Sequence, residues 1–226
     1  MCTLTYIPLS DNNCFITQNR DEFIGRAMPG LVKKSIAKKT VLFPQDKGGK
    51  GTWIATSDNR QIVCLLNGAF VKHKHRPPYR KSRGLVVLDY FKSPDPKDFF
   101  ESYNLDEIEP FTMVVYDNGK LYEWRWDEKE RHLAIKDPKE KHIWASCTLY
   151  QPEHQFKRIE WFQAWQDSKI NIDQAGVLDF HMNAGDGDPE YDLVMNRMDI
   201  VKTTSITSIQ VKEKSLEMKH IDLLRN

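Results

Sequence analysis

Cysteine is scarce in this chain: four in 226 residues, Cys2, Cys14, Cys64 and Cys147, with no CxxC spacing among them. That scatter disfavours a zinc site or a disulfide framework and points to a reduced, cytoplasmic protein. No apolar run reaches the roughly 20 residues of a membrane-spanning helix. The first residues lack the basic stretch and long apolar core of a secretory signal. Charge of one sign is missing too, since 33 Lys and Arg face 32 Asp and Glu for a net +1. A balance so near neutrality argues against a nucleic-acid or membrane-surface footprint. No low-complexity linker or internal repeat interrupts residues 1–226, so one domain is expected. What remains, 40% hydrophobic and 29% charged residues, is the composition of an ordinary soluble globular protein.

Against these absences the second residue stands out. Removal of Met1 would leave Cys2 carrying both a thiol and a free α-amine. An α-amine, with a pKa of roughly 7.7–8.0, accepts a proton near neutral pH. It can serve as general base for its own side chain, the logic of an N-terminal nucleophile. Cys2 opens an apolar, β-branched run to Leu9; Ser10-Asp11-Asn12-Asn13 reads as a turn, and a second strand begins at Cys14. The hairpin brings Asn19-Arg20-Asp21-Glu22, at the far end of strand two, beside the chain start. There Asp21 can hold the amine, and the Arg20 guanidinium would favour a thiolate. The plainer reading of these four residues is a solvated strand end with surface ion pairs.

The remaining pattern alternates strands and helices. Strands are expected at 2–8, 14–19, 52–57 and 61–66, and a hairpin at 111–126 turns on Asp117-Asn118-Gly119. Leu85, Leu88 and Phe91 recur at helical spacing after Ser82-Arg83 and stop at Ser93-Pro94. A longer helix covers 152–166, its apolar face read as Phe156, Ile159, Phe162 and Trp165. A further helix is expected at 177–181, then strands at 201–211 and 217–223. Strands, then helices, then strands suit a layered α+β protein.

Four other stretches invite functional readings. The basic loop 71–83 (VKHKHRPPYRKSR) is either a solvated face or an anion trap. Arg83, at a helix start, is best placed to capture a negative group on a small molecule. His73 and His75 show no carboxylate partner in sequence, so no metal is expected. In 186–192 (DGDPEYD) the sixth-position glycine is missing, and Arg197 stands where a calcium loop needs glutamate. A polar loop after a helix is the better reading, and His181 before it is read as structural. Asn67, followed by Gly68, is either an ordinary Asn-Gly turn or a donor to a developing oxyanion.

The opening MCT, the NRDE tetrapeptide at 19–22, Gly51-Thr52-Trp53 and Ser82-Arg83-Gly84 resemble the NRDE family. That family includes the eukaryotic Transport and Golgi organisation protein two. Thr148-Leu149-Tyr150 and the Gly185–Glu190 stretch are similar to its bacterial members. More distantly, Cys2, Asn19 and Asp21 resemble the start of the choloylglycine hydrolase and penicillin V acylase group. Those are N-terminal-nucleophile (Ntn) hydrolases of non-peptide amides. The resemblance implies a four-layer αββα sandwich and a cofactor-free amidohydrolase acting on a small molecule. Cys2, Asp21 and Asn67 would be catalytic, with Asn19, Arg20, Arg83, Thr148 and Arg158 binding substrate or balancing charge. Two positions depart from the distant group: its thiol-contacting arginine falls at Gln18, and its later asparagine falls near Cys147 or Thr148. These departures keep open a non-catalytic ligand-binding or trafficking protein on the same scaffold.

Overall fold

The structure, a computed structural model, describes residues 2–10, 12–26, 30–168, 172–213 and 215–225. In chain order its elements begin β1 (Cys2–Ser10), β2 (Asn13–Phe23), β3 (Leu31–Ile36), β4 (Lys39–Pro44), β5 (Ile54–Ser57) and β6 (Gln61–Asn67). Helices α1 (Arg83–Tyr90) and α2 (Pro96–Ser102) follow, then β7 (Phe111–Asp117), β8 (Lys120–Trp126), β9 (Arg131–Lys136) and β10 (His142–Ala145). The chain closes with α3 (Pro152–Asp167), α4 (Gln174–Asn183), β11 (Asn196–Arg197), β12 (Val201–Lys212) and β13 (Ser215–Asp222). They divide between two compact units, residues 1–27 with 139–226, and residues 28–138. The class is α+β, as expected, with two antiparallel sheets.

The first unit holds a sheet in the order β10-β1-β2-β12-β11, with β13 also paired to β12. Its first hairpin forms where the Asn-rich turn predicts it: Asn12 takes a left-handed φ of 61°, which asparagine tolerates. Asn13 then donates to the Ser10 hydroxyl at 2.6 Å. Strand β2 does not stop at Asn19 but runs on to Phe23, because β12 pairs with it from Val201–Phe23 to Val211–Cys14. The NRDE residues are thus strand interior, and Asn19 and Asp21 are fully buried rather than solvated. On one face of the sheet Ile7 and Phe15 share a core with Phe162 of α3 and Val177 and Phe180 of α4.

Helix α3 buries only part of the stripe its apolar spacing predicts: Phe162 is buried and Trp165 packs against the same core. Arg158 and Phe162 are buried, whereas Phe156 and Ile159 are 60% and 41% exposed. The Arg158 guanidinium donates instead to the Thr3 hydroxyl and the His154 and Tyr191 carbonyls.

The second unit is a sheet in the order β3-β4-β5-β6-β7-β8-β9. Val86, Val87 and Tyr90 of α1, with Phe99 and Phe100 of α2, share a core with Val63, Phe111 and Trp124. Asn118 and Gly119, both at positive φ, make the turn that their sequence predicts. Gly51 and Gly84 explain two of the sequence motifs. The Thr52 N–H donates to the Gly84 carbonyl at 3.0 Å, and a Cβ on Gly51 would meet the Gly84 carbonyl carbon at 2.3 Å. Only glycine permits this backbone-on-backbone approach between the β4–β5 segment and α1.

Candidate functional site

Register decides which side chains meet at Cys2. In the β1–β2 pair Cys2 lies opposite Arg20, Thr3 opposite Asn19 and Leu4 opposite Gln18. Directly opposed residues share a face and neighbours along a strand alternate. Cys2, Gln18 and Arg20 therefore belong to one face, Thr3, Asn19 and Asp21 to the other. Arg20 does face away from Asn19 and Asp21, and towards the thiol.

On the thiol face Cys2 is 2% exposed. Burial pushes its thiol above the ordinary value, against the positive chain terminus; Asp21 adds to the rise, while Arg20 and a hydrogen bond with Gln18 oppose it. Gln18 thus occupies the thiol-contacting place that the distant resemblance gives to arginine. Arg20 is itself buried, its guanidinium 3.8 Å from the Glu22 carboxylate, which also pairs with Arg26 at 3.2 Å. The segment after β10 runs beside Cys2, with the Ser146 N–H donating to the Cys2 carbonyl at 3.0 Å. Thr148 follows, half-buried, its hydroxyl 3.0 Å from that of Ser146.

The opposite face, towards α3 and α4, carries a buried polar network. Asp21 accepts from the Tyr150 hydroxyl at 2.5 Å and from the Thr203 hydroxyl at 2.7 Å. Burial raises the Asp21 carboxyl above its usual range; Tyr150, the chain terminus, Thr203 and Arg158 pull it back. Arg158 stacks on the Tyr150 ring, 3.5 Å from its centroid, and donates to the Thr3 hydroxyl at 3.1 Å and the Tyr191 carbonyl at 2.8 Å. Asn19 donates to the carbonyls of His181 and Leu193, at 2.9 and 2.8 Å, and its Oδ1 meets His181 Nδ1. With Nδ1 donating to Asn19, His181 Nε2 accepts from the Thr5 hydroxyl at 2.7 Å. Burial pushes the His181 pKa down to about 3, so it is a neutral structural histidine.

Cys2, Asn19, Arg20, Asp21, Thr148 and Arg158 are thus gathered in the first unit. Asn67 and Arg83 belong to the second. Asn67 closes β6 opposite Phe111, half-buried; it makes no hairpin tip, because β6 reaches β7 only through a long segment carrying α1 and α2. Arg83 pairs with Glu109 at 2.9 Å and donates to the Pro110 carbonyl at 2.9 Å. Glu109 also receives His73 and His75, at 3.0 and 3.2 Å, so the histidines do have a carboxylate partner. Burial pushes Glu109 up, but Arg83 and the two imidazoles hold it below the usual range. Among the described residues no His, Cys, Asp and Glu group has metal-holding geometry. The acidic stretch folds on itself and docks on α3: Asp192 accepts the N–H groups of Asp186 and Gly187, at 2.9 and 3.2 Å, and Asp186 pairs with Lys157 at 2.6 Å.

Sequence reading missed Tyr150 and Thr203. Tyr150 stands in the Thr-Leu-Tyr marker, immediately ahead of α3, and only folding carries it to Asp21. Thr203 is one of several threonines in β12, and only the pairing of β12 with β2 distinguishes it.

No curated protein matches this sequence. Among solved structures, a cysteine-to-alanine mutant of conjugated bile acid hydrolase from Clostridium perfringens superposes with a TM-score of 0.56 at 10% identity, covering 100% of this chain and 93% of that one. Penicillin V acylase from Agrobacterium tumefaciens gives 0.52 at 9%, covering 100% and 87%. The Caenorhabditis elegans orthologue of N-acylethanolamine-hydrolyzing acid amidase gives 0.55 at 9%, covering 92% of each chain. At such identities the likeness shows the fold, which is of Ntn-hydrolase type. The sequence model of the family described as Transport and Golgi organisation 2 matches residues 1–214, and the chain belongs to that family.

Proposed function

We propose that the protein is an N-terminal-cysteine amidohydrolase acting on a small non-peptide amide in the cytoplasm. The observation that carries the reading is the β1–β2 register. It sets a buried guanidinium opposite the Cys2 thiol, with a buried carboxylate one residue further on. Once the residue ahead of Cys2 is removed, its α-amine takes the thiol proton as sulfur bonds to the substrate carbonyl carbon. The tetrahedral intermediate collapses, the carbon–nitrogen bond breaks, and the leaving nitrogen takes that proton from the ammonium. Water then attacks the thioester and gives its proton to the amine, and the thiol is restored as the carbon–sulfur bond breaks. Asp21 orients the amine and Arg20 balances the sulfur's negative charge. Asn67 is proposed as oxyanion donor on the chemistry of its side-chain amide. Asn19, Thr148 and Arg158 support the site, and Arg83 is proposed to meet an anionic group on the substrate.

The test combines peptide mass spectrometry after a brief iodoacetamide pulse with turnover of an amide panel. The chain should begin at Cys2, Cys2 should label ahead of Cys14, Cys64 and Cys147, and Cys2→Ala should abolish turnover while staying folded. A fully active Cys2→Ala protein would sink the proposal. One observation favours a second reading, a non-catalytic ligand-binding or trafficking protein: burial dominates at Cys2 and raises its thiol, away from a ready thiolate. Acyl-conjugate binding without turnover, indifferent to Cys2→Ala, would decide for that reading.

A further inference from the structure

The proposed reaction uses Asp21 as a carboxylate, yet Asp21 lies on the helix-facing side of the sheet with 0% exposure. A lone buried carboxylate would neutralise itself by taking a proton. Here each oxygen has its own donor: the Thr203 hydroxyl reaches Oδ1 at 2.7 Å and the Tyr150 hydroxyl reaches Oδ2 at 2.5 Å. Thr203 accepts the Met195 N–H at 2.8 Å, so its hydroxyl hydrogen points elsewhere; Asp21 is a nearer acceptor than the Leu193 carbonyl at 3.2 Å. Tyr150 is pinned in turn, its ring under the Arg158 guanidinium and its N–H on the Ser146 carbonyl at 3.2 Å. Ser146 is the residue whose own N–H binds the Cys2 carbonyl. One short turn, 146–150, therefore touches Cys2 at its start and Asp21 at its end.

We infer that Tyr150 is a positioning residue of the Cys2 site, which together with Thr203 favours the ionised form of Asp21 and fixes its orientation beside Cys2. The inference rests on the N-terminal-cysteine reading above. The groups packed around Asp21 are Thr203 from β12, Tyr150 from the turn and Arg158 from α3, and across β1 the Cys2 thiol feels its charge. From α4, His181 bonds to Asn19 and Thr5; Arg197, in β11, lies 5.9 Å from the Tyr150 ring. Two donors to one carboxylate favour its ionised form. Losing one therefore lets Asp21 take a proton at higher pH.

The experiment is the pH profile of Cys2 alkylation by limiting iodoacetamide, read peptide by peptide, in the whole protein. Charged Asp21 raises the Cys2 thiol, so Asp21→Asn should shift the profile to lower pH. Tyr150→Phe should shift it the same way; a half-unit shift is a rise of about threefold in the labelling rate at a pH below the midpoint. The double variant should match Asp21→Asn alone, because Tyr150 acts through Asp21. Thr203→Val should repeat the shift, a second route should Tyr150→Phe fold poorly. Single-variant profiles that superpose on the parent, or a further shift by Tyr150→Phe in the Asp21→Asn background, would overturn the inference. An unmoved profile in Asp21→Asn would overturn it together with the role of Asp21 in the hydrolase reading. Failure of Tyr150→Phe and Thr203→Val alone would leave that reading standing.

Discussion

Arg158 shows how one residue can outweigh the pattern around it. It is a fully buried cation in the middle of a helix, and its guanidinium is spent on Thr3, His154, Tyr191 and the Tyr150 ring. Removing one member of a buried charge network typically costs about 3–5 kcal/mol, because its partners are left unsatisfied. Arg158→Met is expected to fall in that range by urea unfolding, despite filling similar volume. Arg158→Lys should recover little, since one ammonium cannot span the same set of acceptors. Phe156→Ser, at an exposed position on the same helix, should stay within about 0.5 kcal/mol of the parent. The apolar spacing of α3 would rank these substitutions the other way, because periodicity cannot see a polar acceptor buried on a neighbouring strand.

At the scale of elements, the parts legible in sequence are those whose local chemistry and tertiary role agree. The β7–β8 hairpin turns on Asn118-Gly119, and α3 and α4 came within a few residues of their expected bounds. The β3–β4 hairpin was illegible because its turn residues are Ala37 and Lys38, held at φ of 47° and 69° without glycine or asparagine. Helix α2 did carry a signal: Asp95 caps it, accepting from Lys97 N–H at 2.7 Å, and Pro96 opens its first turn. Asp95→Ala should therefore cost about 1 kcal/mol. The Gly51–Gly84 contact is less forgiving, since a Cβ on Gly84 would meet the Thr52 nitrogen and oxygen at 2.9 Å. Gly84→Ala is expected to cost about 1–3 kcal/mol by forcing backbone apart. Thermal melts of the two variants should rank Gly84→Ala as no milder than Asp95→Ala, and the reverse order would remove the close-approach argument.

For the molecule as a whole, buried ionisable groups set the response to pH. His181 is held near pKa 3 in the folded chain, well below the roughly 6.5 of an unfolded histidine. Between those values the unfolded chain binds the extra proton, so the stabilisation is complete above about pH 6.5 and is lost as pH falls towards 3. Each pH unit in that window is about 1.4 kcal/mol at most. Asp21 carries the opposite sign: its raised carboxyl disfavours the folded state as pH rises above the unfolded value. His181→Gln should flatten the acid limb of a stability-versus-pH curve between pH 6 and 4, whereas Asp21→Asn should leave it steep. No described helix is long and apolar enough to cross a membrane, and the family match passes through both compact units.

The sequence by itself determined the α+β class, the first hairpin and the candidate nucleophile. Those depend on alternation, Asx and glycine turn chemistry, and a cysteine at position two, all local in the chain. Tertiary structure alone decided that Asn19–Asp21 is buried strand interior, because that follows from β12, which lies roughly 180 residues later and pairs along β2. It alone brought Tyr150 and Thr203 to the two oxygens of Asp21, and turned α3 so that Arg158 faces inward. Each of these is a polar group satisfied by a partner far away in sequence, and a buried hydrogen bond between distant residues leaves no periodic trace in either one.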